Sequence, residues 1–308
     1  MTTELYKVYR PKKLSDVLGQ DAARKSLLTM IKNNKIPHSL LFSGPSGCGK
    51  TTIARILAGK VQCGKHDLTE KNCADFRGIE MVRDIRSKMN LKPVDGKTRV
   101  WIIDECHKLS SDAMNAFLKI LEDTPNHVYF FLATTDPQKL LKTIRTRCTE
   151  IAVKSLSVIA MEQLISQTAD SEQMKIPKAV VSKIIENSEG SARKALVLLH
   201  QVIGLENEKD MLETIQQSSV ETQVFEIVKA LGNKNTKWET MKKILNEVDI
   251  NDAEGIRWLV LSCAKQAMLS NKGNVGRGYL IIDAFRDNFY DSKAAGLVAA
   301  CYEVIHGE

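Results

Sequence analysis

The first half of the chain alternates between two hydrophobic patterns. Residues 39–42 (SLLF), 100–103 (VWII) and 128–133 (VYFFLA) are short unbroken apolar runs. Such runs suit central strands of a parallel sheet, which are covered on both faces. Between them the apolar spacing changes to three and four. Leu27, Leu28 and Ile31 share one helical face, and Met114, Phe117, Leu118 and Leu121 share another within a helix predicted over 111–123. A further helix is predicted from Lys50 to about Val61. Strands alternating with helices imply an α/β fold with right-handed crossovers.

From about residue 155 the pattern becomes successive amphipathic helices with little strand signal. A polar stretch at 205–210 (LENEKD) reads as a linker. Three regions are therefore expected: 1–154 (α/β), 155–206 (helical) and 207–308 (helical). In the last of these, Leu231, Ile244, Leu245, Ile256, Trp258, Leu259 and Leu261 are predicted to pack a helical bundle.

Composition narrows the setting. No apolar run approaches the ~18 residues of a membrane helix. The opening MTTELYKVYRPKK lacks the apolar core of a signal peptide. A cytoplasmic protein with no membrane partner is expected, in the host cytoplasm if the source is viral. The seven cysteines show no disulfide spacing, which suits a reducing compartment. The net charge of +7 hints at a polyanionic partner.

The chemistry begins at Gly44-Pro45-Ser46-Gly47-Cys48-Gly49-Lys50-Thr51, followed by Thr52, which fits the phosphate-binding pattern G-x-x-x-x-G-K-[ST]. A predicted strand precedes it and a predicted helix follows. The glycines let backbone N–H groups curl around phosphate oxygens, and the helix N-terminus adds partial positive charge. Lys50 is expected to reach the β- and γ-phosphates of ATP, and the Thr51 hydroxyl to ligate Mg²⁺. Asp104-Glu105 closes the VWII strand, where a carboxylate faces the ligand crevice of a parallel sheet. Asp104 is expected to hold Mg²⁺ through its water shell, and Glu105 to act as general base on the attacking water.

From this motif onward the sequence resembles the clamp-loader ATPases, the AAA+ family of the bacterial DNA polymerase III gamma/tau subunit and the small subunits of replication factor C. The resemblance rests on IIDECHKLSSDAMNAFLKILEDTPNHVYFFLATTDPQKLLKTIRTRC, and covers about residues 5–205. It implies an AAA+ ATPase domain over 1–154, a helical lid over 155–206 and an oligomerising collar over 207–308. It also implies a pentameric assembly that opens a sliding clamp and loads it onto primer-template DNA during replication. By position, Thr135 matches sensor 1 and Arg193 matches sensor 2, with Ser191 as a helix N-cap. Arg147 in Thr-Arg-Cys matches the arginine finger that acts in trans on a neighbouring subunit. Tyr9, Arg10, Pro11, Val17 and Leu18 match the box that flanks adenine and ribose.

Other implications concern surfaces. The segment 76–83 (FRGIEMVR) resembles a stretch of the replication factor C subunits, and residues 76–99 hold seven basic side chains against three acidic ones. Arg77, Arg83, Arg86 and Lys88 are the expected DNA contacts, neutralising phosphates without reading bases. In the relatives the loop 89–97 touches the clamp, which makes Leu91, Pro93 and Val94 its apolar candidates here. Gamma/tau relatives carry a four-cysteine zinc module after the phosphate-loop helix. Residues 61–73 (VQCGKHDLTEKNC) offer only Cys63, His66 and Cys73, so the module reads as deleted and no zinc is expected. Three alternatives stay open: a helicase, suggested by Asp104-Glu105-Cys106-His107; a non-enzymatic scaffold; and another AAA+ remodeller of DNA.

Overall fold

The computed structural model describes residues 4–75, 78–248, 253–269 and 275–307, with 217–223 by backbone alone. Two compact units divide the chain, Met1–Gly204 and Leu205–Glu308. In the first, helices α1 (Leu5–Val8) and α2 (Asp21–Lys32) lead into β1 (Ser39–Ser43) and α3 (Lys50–Lys60). Then follow β2 (Cys63–Asn72), α4 (Ile79–Met89), β3 (Thr98–Asp104), α5 (Ser111–Glu122), β4 (Val128–Thr134), α6 (Lys142–Arg147) and β5 (Thr149–Ala152). Helices α7 (Val158–Ser171), α8 (Lys178–Ser188) and α9 (Ala192–Val202) complete the unit.

The five strands form one parallel sheet in the order β2-β3-β4-β1-β5. The three apolar runs became its three central strands. Each places alternate residues on opposite faces, so each feeds two cores. Trp101, Ile103, Phe130 and Leu132 pack with Ile85 and Phe117 on the side of α4 and α5. Val100, Ile102, Leu40, Phe42 and Phe131 pack with Leu27, Ile53 and Leu57 on the side of α2 and α3. Phe130 stacks on Trp101 and meets Phe117 edge-on, both with centroids 5.5 Å apart. Ser110 caps α5 by accepting the Ala113 N–H. On α2, Leu27 is buried but Leu28 is exposed, one step off the stripe facing the sheet.

The two outer strands carry no apolar run. The segment that reads as the place of a deleted zinc module is β2, a polar edge strand. Edge strands cover one side only and tolerate charge, so its Lys65, His66 and Glu70 stand at or near the surface. One inward residue of β2 is Asp67, buried although acidic. Its carboxylate accepts the backbone N–H groups of Val94, Asp95 and Gly96 at 2.8–3.0 Å and pairs with Arg99 at 3.3 Å. Burial alone would raise its pKa; the three N–H donors outweigh that and hold it well below the usual carboxylate range. The loop after α4 is thereby fixed, with Leu91 57% and Val94 75% exposed and Pro93 half-buried.

The second unit holds α10 (Glu208–Gly232), α11 (Trp238–Glu247), α12 (Ala253–Leu269), α13 (Val275–Ala284) and α14 (Lys293–His306). Leu231, Leu245 and Ile256 lie in its core, and Ile244, Leu259 and Leu261 pack partly against it. Trp258 does not belong there and is 60% exposed. The inward stripe of α12 runs Ala253, Ile256, Arg257, Val260 and Ala264. Arg257 takes the inward place because its charge is satisfied: it pairs with Glu254 at 2.7 Å and donates to the carbonyls of Phe285 and Arg286. Its guanidinium lies 4.7 Å from the Trp258 ring. Among the described residues there is one sheet, and no helix is long and apolar enough to cross a membrane. The described residues thus supply no second sheet of the sort a helicase needs.

Replacing Asp67 by alanine should release the loop. The amides of Val94, Asp95 and Gly96 should exchange with solvent roughly thirtyfold faster, a loss of about 2 kcal/mol. Because the folded pKa is depressed, the parent's protection is complete above the ordinary carboxylate pKa of about 3.9, declines as pH falls below it, and is lost once pH has passed the lower folded value. Unchanged exchange at neutral pH would show that Asp67 does not hold the loop.

Candidate nucleotide-binding site

The loop between β1 and α3 is shaped by close approach. Gly44, at φ 148°, passes so near β5's end that an added Cβ would sit 1.8 Å from the Val153 carbonyl oxygen. Its N–H donates to the Thr134 carbonyl at 3.1 Å. Gly47, at φ 74°, comes within 2.1 Å (Cβ position) of the Ser191 hydroxyl. The Arg193 N–H donates to the Gly47 carbonyl at 3.3 Å, so the start of α9 rests directly on the loop. Gly49 then caps α3 in the left-handed region, and Lys50 and Thr51 occupy its first turn.

Lys50 is buried, and its ammonium donates to the carbonyls of Gly44 at 2.7 Å and Pro45 at 2.8 Å. Burial pulls its pKa below lysine's ordinary value, while Glu105 and Asp104 pull the other way. The Thr51 hydroxyl donates to Asp104 Oδ2 at 2.8 Å, and Asp104 Oδ1 accepts the Glu105 N–H at 2.9 Å. Two hard oxygen donors thus meet at one point, a chemistry that fits Mg²⁺. Glu105 follows in the left-handed region (φ 51°, ψ 39°), and Thr135 donates to its Oε2 at 3.3 Å.

A cavity opens beside these groups. Ser46, Gly47, Cys48, Gly49, Lys50, Thr51 and Thr52 line it with Asp104 and Glu105. Tyr9, Arg10, Pro11, Val17 and Leu18 also line it, as does Arg193 from α9. Gly44 and Pro45 lie behind, holding Lys50. Ser191 caps α9 by accepting the Lys194 N–H, and the Arg193 guanidinium sits 5.8 Å from the Tyr6 ring. Tyr9 donates its hydroxyl to Glu172 at the end of α7, tying the N-terminal arm to the helical region. Sequence reasoning missed Tyr6, Asp16, Leu156, Leu164, Ala192 and Leu196 in the lining. The leucines read as ordinary helix packing and carry no pattern that marks a ligand wall.

Two expected residues stand apart. Thr135 touches Glu105 without lining the cavity, and Arg147 does not line it at all. Arg147 ends α6, exposed, donating to the Thr143 carbonyl at 3.0 Å and pairing with Glu122. On α4, Arg83, Arg86 and Lys88 are exposed; Arg83 pairs with Glu80 and Lys88 with Asp84, each at 2.6 Å. Arg77 lies outside the described residues. Cys63 opens β2 and Cys73 follows its end, with His66 pairing instead with Asp95 at 2.9 Å. Burial raises the thiol pKa to about 11 at Cys63 and about 12 at Cys73.

Comparison with known proteins bears on the family and the fold. A family model described as DNA polymerase III, delta subunit matches residues 19–80 and 75–157. The DNA polymerase III subunit tau of Bacillus subtilis (strain 168) is 33% identical over 270 residues, 79% of this chain and 48% of that protein. The DNA polymerase III subunit tau of Escherichia coli (strain K12) is 32% identical over 281 residues, 83% of this chain and 43% of that protein. The chain therefore spans less than half the length of these relatives. Among solved structures, the RuvB Holliday junction branch migration motor of Thermotoga maritima superposes with a TM-score of 0.59 at 23% identity, covering 72% of this chain and 79% of that one. That likeness establishes the fold.

Lys50→Ala should remove the cavity's principal cation and abolish measurable ATP binding by calorimetry. Near-parental affinity would show that nucleotide does not use this loop.

Proposed function

The chain belongs to the clamp-loader family related to DNA polymerase III gamma/tau, with an AAA+ fold, and on that footing we propose that it is an ATP-hydrolysing motor subunit that loads a sliding clamp onto primer-template DNA. The observation that carries this reading is the convergence of Lys50, Thr51, Asp104, Glu105 and Thr135 beside one cavity, with Arg147 displayed outside it. A scaffold with no catalytic role has no need of that convergence.

In this reading the backbone N–H groups of 46–51 receive the phosphates, and Lys50 exchanges its two carbonyl partners for phosphate oxygens. Thr51 and Asp104 hold Mg²⁺, which supplies neutralisation of charge on the phosphates. Glu105 takes a proton from the attacking water, and the Thr135 hydroxyl turns to the γ-phosphate or that water. Arg193 reaches the phosphates from the lid, so nucleotide draws α7–α9 onto the sheet. Tyr9, Arg10, Pro11, Val17 and Leu18 enclose the adenine and ribose.

Arg147 completes a neighbour's site and not its own. Its exposed pairing with Glu122 is worth little in water, so a neighbour's phosphates can draw it away. Companion subunits in a pentamer are the partners this requires, with the 205–308 unit as the collar that gathers them. The clamp is reached through the loop bearing Leu91, Pro93 and Val94. Primer-template DNA is met by Arg77, Arg83, Arg86 and Lys88 through its phosphates.

Arg147→Ala should leave ATP binding by the isolated subunit intact but cut hydrolysis by the assembly roughly 10³-fold. Mixing Arg147→Ala subunits with Lys50→Ala subunits should restore part of the activity, since some interfaces then pair an intact Lys50 with an intact Arg147. If mixed oligomers form and ATPase activity does not return, the shared site is refuted.

A further inference from the structure

The sequence singles out Asp104-Glu105-Cys106-His107, yet the nucleotide site as described leaves His107 without a part. Its side chain is only 9% exposed, and a polar ring so enclosed needs partners. Nδ1 lies 3.0 Å from the Thr134 hydroxyl and 3.5 Å from Glu105 Oε2. The Thr134 hydroxyl also accepts the Asp136 N–H at 3.0 Å, and the Thr134 carbonyl accepts the Gly44 N–H. Through this one threonine, His107 is joined to the end of β4 and to the phosphate loop.

The ring is firmly placed. It sits in a short 3₁₀ turn, Cys106–Lys108, whose Cys106 is buried in the core beside Leu109. Glu105 precedes that turn in the left-handed region, a conformation a non-glycine residue keeps only when its surroundings dictate it. Thr135 and His107 both approach the same oxygen of its carboxylate, Oε2. Their situations differ. Thr135 stands at the open end of β4 and has a second task if it attends the γ-phosphate. His107 is enclosed, at 9% side-chain exposure.

We propose that His107 is a positioning residue for Glu105, holding Oε2 from the protein side while the Thr135 hydroxyl turns to the phosphate or the water. This rests on the reading of Glu105 as general base. The consequence is a division of labour at one oxygen: Thr135 responds to nucleotide, and His107 keeps the carboxylate aimed throughout the cycle. It also joins base and phosphate loop by one short path, from Glu105 through His107 and Thr134 to Gly44.

Two polar substitutions separate the ring nitrogens without emptying the pocket. His107→Asn places an amide nitrogen near Nδ1 and should turn over ATP close to the parent rate in the assembled complex. His107→Gln places its amide near the other ring nitrogen, leaves the Nδ1 position vacant, and should lower kcat about ten- to a hundredfold, the usual cost of a misplaced reacting group. ATP affinity should be unchanged in both, because neither touches the phosphate cradle. Parental turnover in His107→Gln, equal slowing in both variants, or a loss that falls on ATP affinity instead of kcat overturns the proposal. A parent complex that hydrolyses no ATP would overturn the ATPase reading on which it rests.

Discussion

The candidate nucleotide site in the first unit depends on the parallel register of β3, β4 and β1. Ile103 lies opposite Leu132, and Ser43 opposite Thr134. Three central strands therefore end in one row, and the residues that follow each strand emerge side by side. From β1 comes the phosphate loop, from β3 the pair Asp104 and Glu105, from β4 Thr135. Parallel strands all point their carboxyl ends the same way, which is why such sheets gather ligand chemistry along one edge. The Thr51–Asp104 hydrogen bond at 2.8 Å and the Gly44–Thr134 bond at 3.1 Å tie the three emerging segments together.

That register is held by the burial of alternate residues on opposite faces. Phe130 faces one core and Phe131 the other. A one-residue slip of β4 would exchange them and shift Thr135 away from Glu105. The geometry of the candidate site is thus specified by packing within the two cores. The same logic extends outward. The start of α9 reaches the loop because Gly47 leaves room for Ser191, and that contact places Arg193 over the cavity.

The central strands and the phosphate loop were legible in the sequence because each leaves a local signature. An unbroken apolar run admits few readings when turn signals bound it, and a glycine-rich loop is constrained residue by residue. The edge strands left none. β2 reads CGKHDLTEKN because one side meets water, and its one deep residue is an aspartate whose partners lie 27–29 residues onward. Trp258 was misplaced for a related reason. Its hydrophobicity pointed inward, but Arg257 found carbonyls and a carboxylate inside, and the helix rotated accordingly. The leucines of the cavity wall and the partnership of His107 depend on which elements meet, which local pattern does not encode.

Clamp loading is the proposed use of ATP at this site, and the DNA and clamp dependence of hydrolysis distinguishes it from other uses. The full chain is assembled with its companion subunits, and steady-state ATP hydrolysis is followed with clamp, primer-template DNA, both, or a four-way DNA junction. A loader should hydrolyse fastest with clamp and primer-template present together, and should leave closed clamps on the DNA. Hydrolysis stimulated by the junction and indifferent to the clamp would contradict the account and point to a branch-migration motor on the same fold.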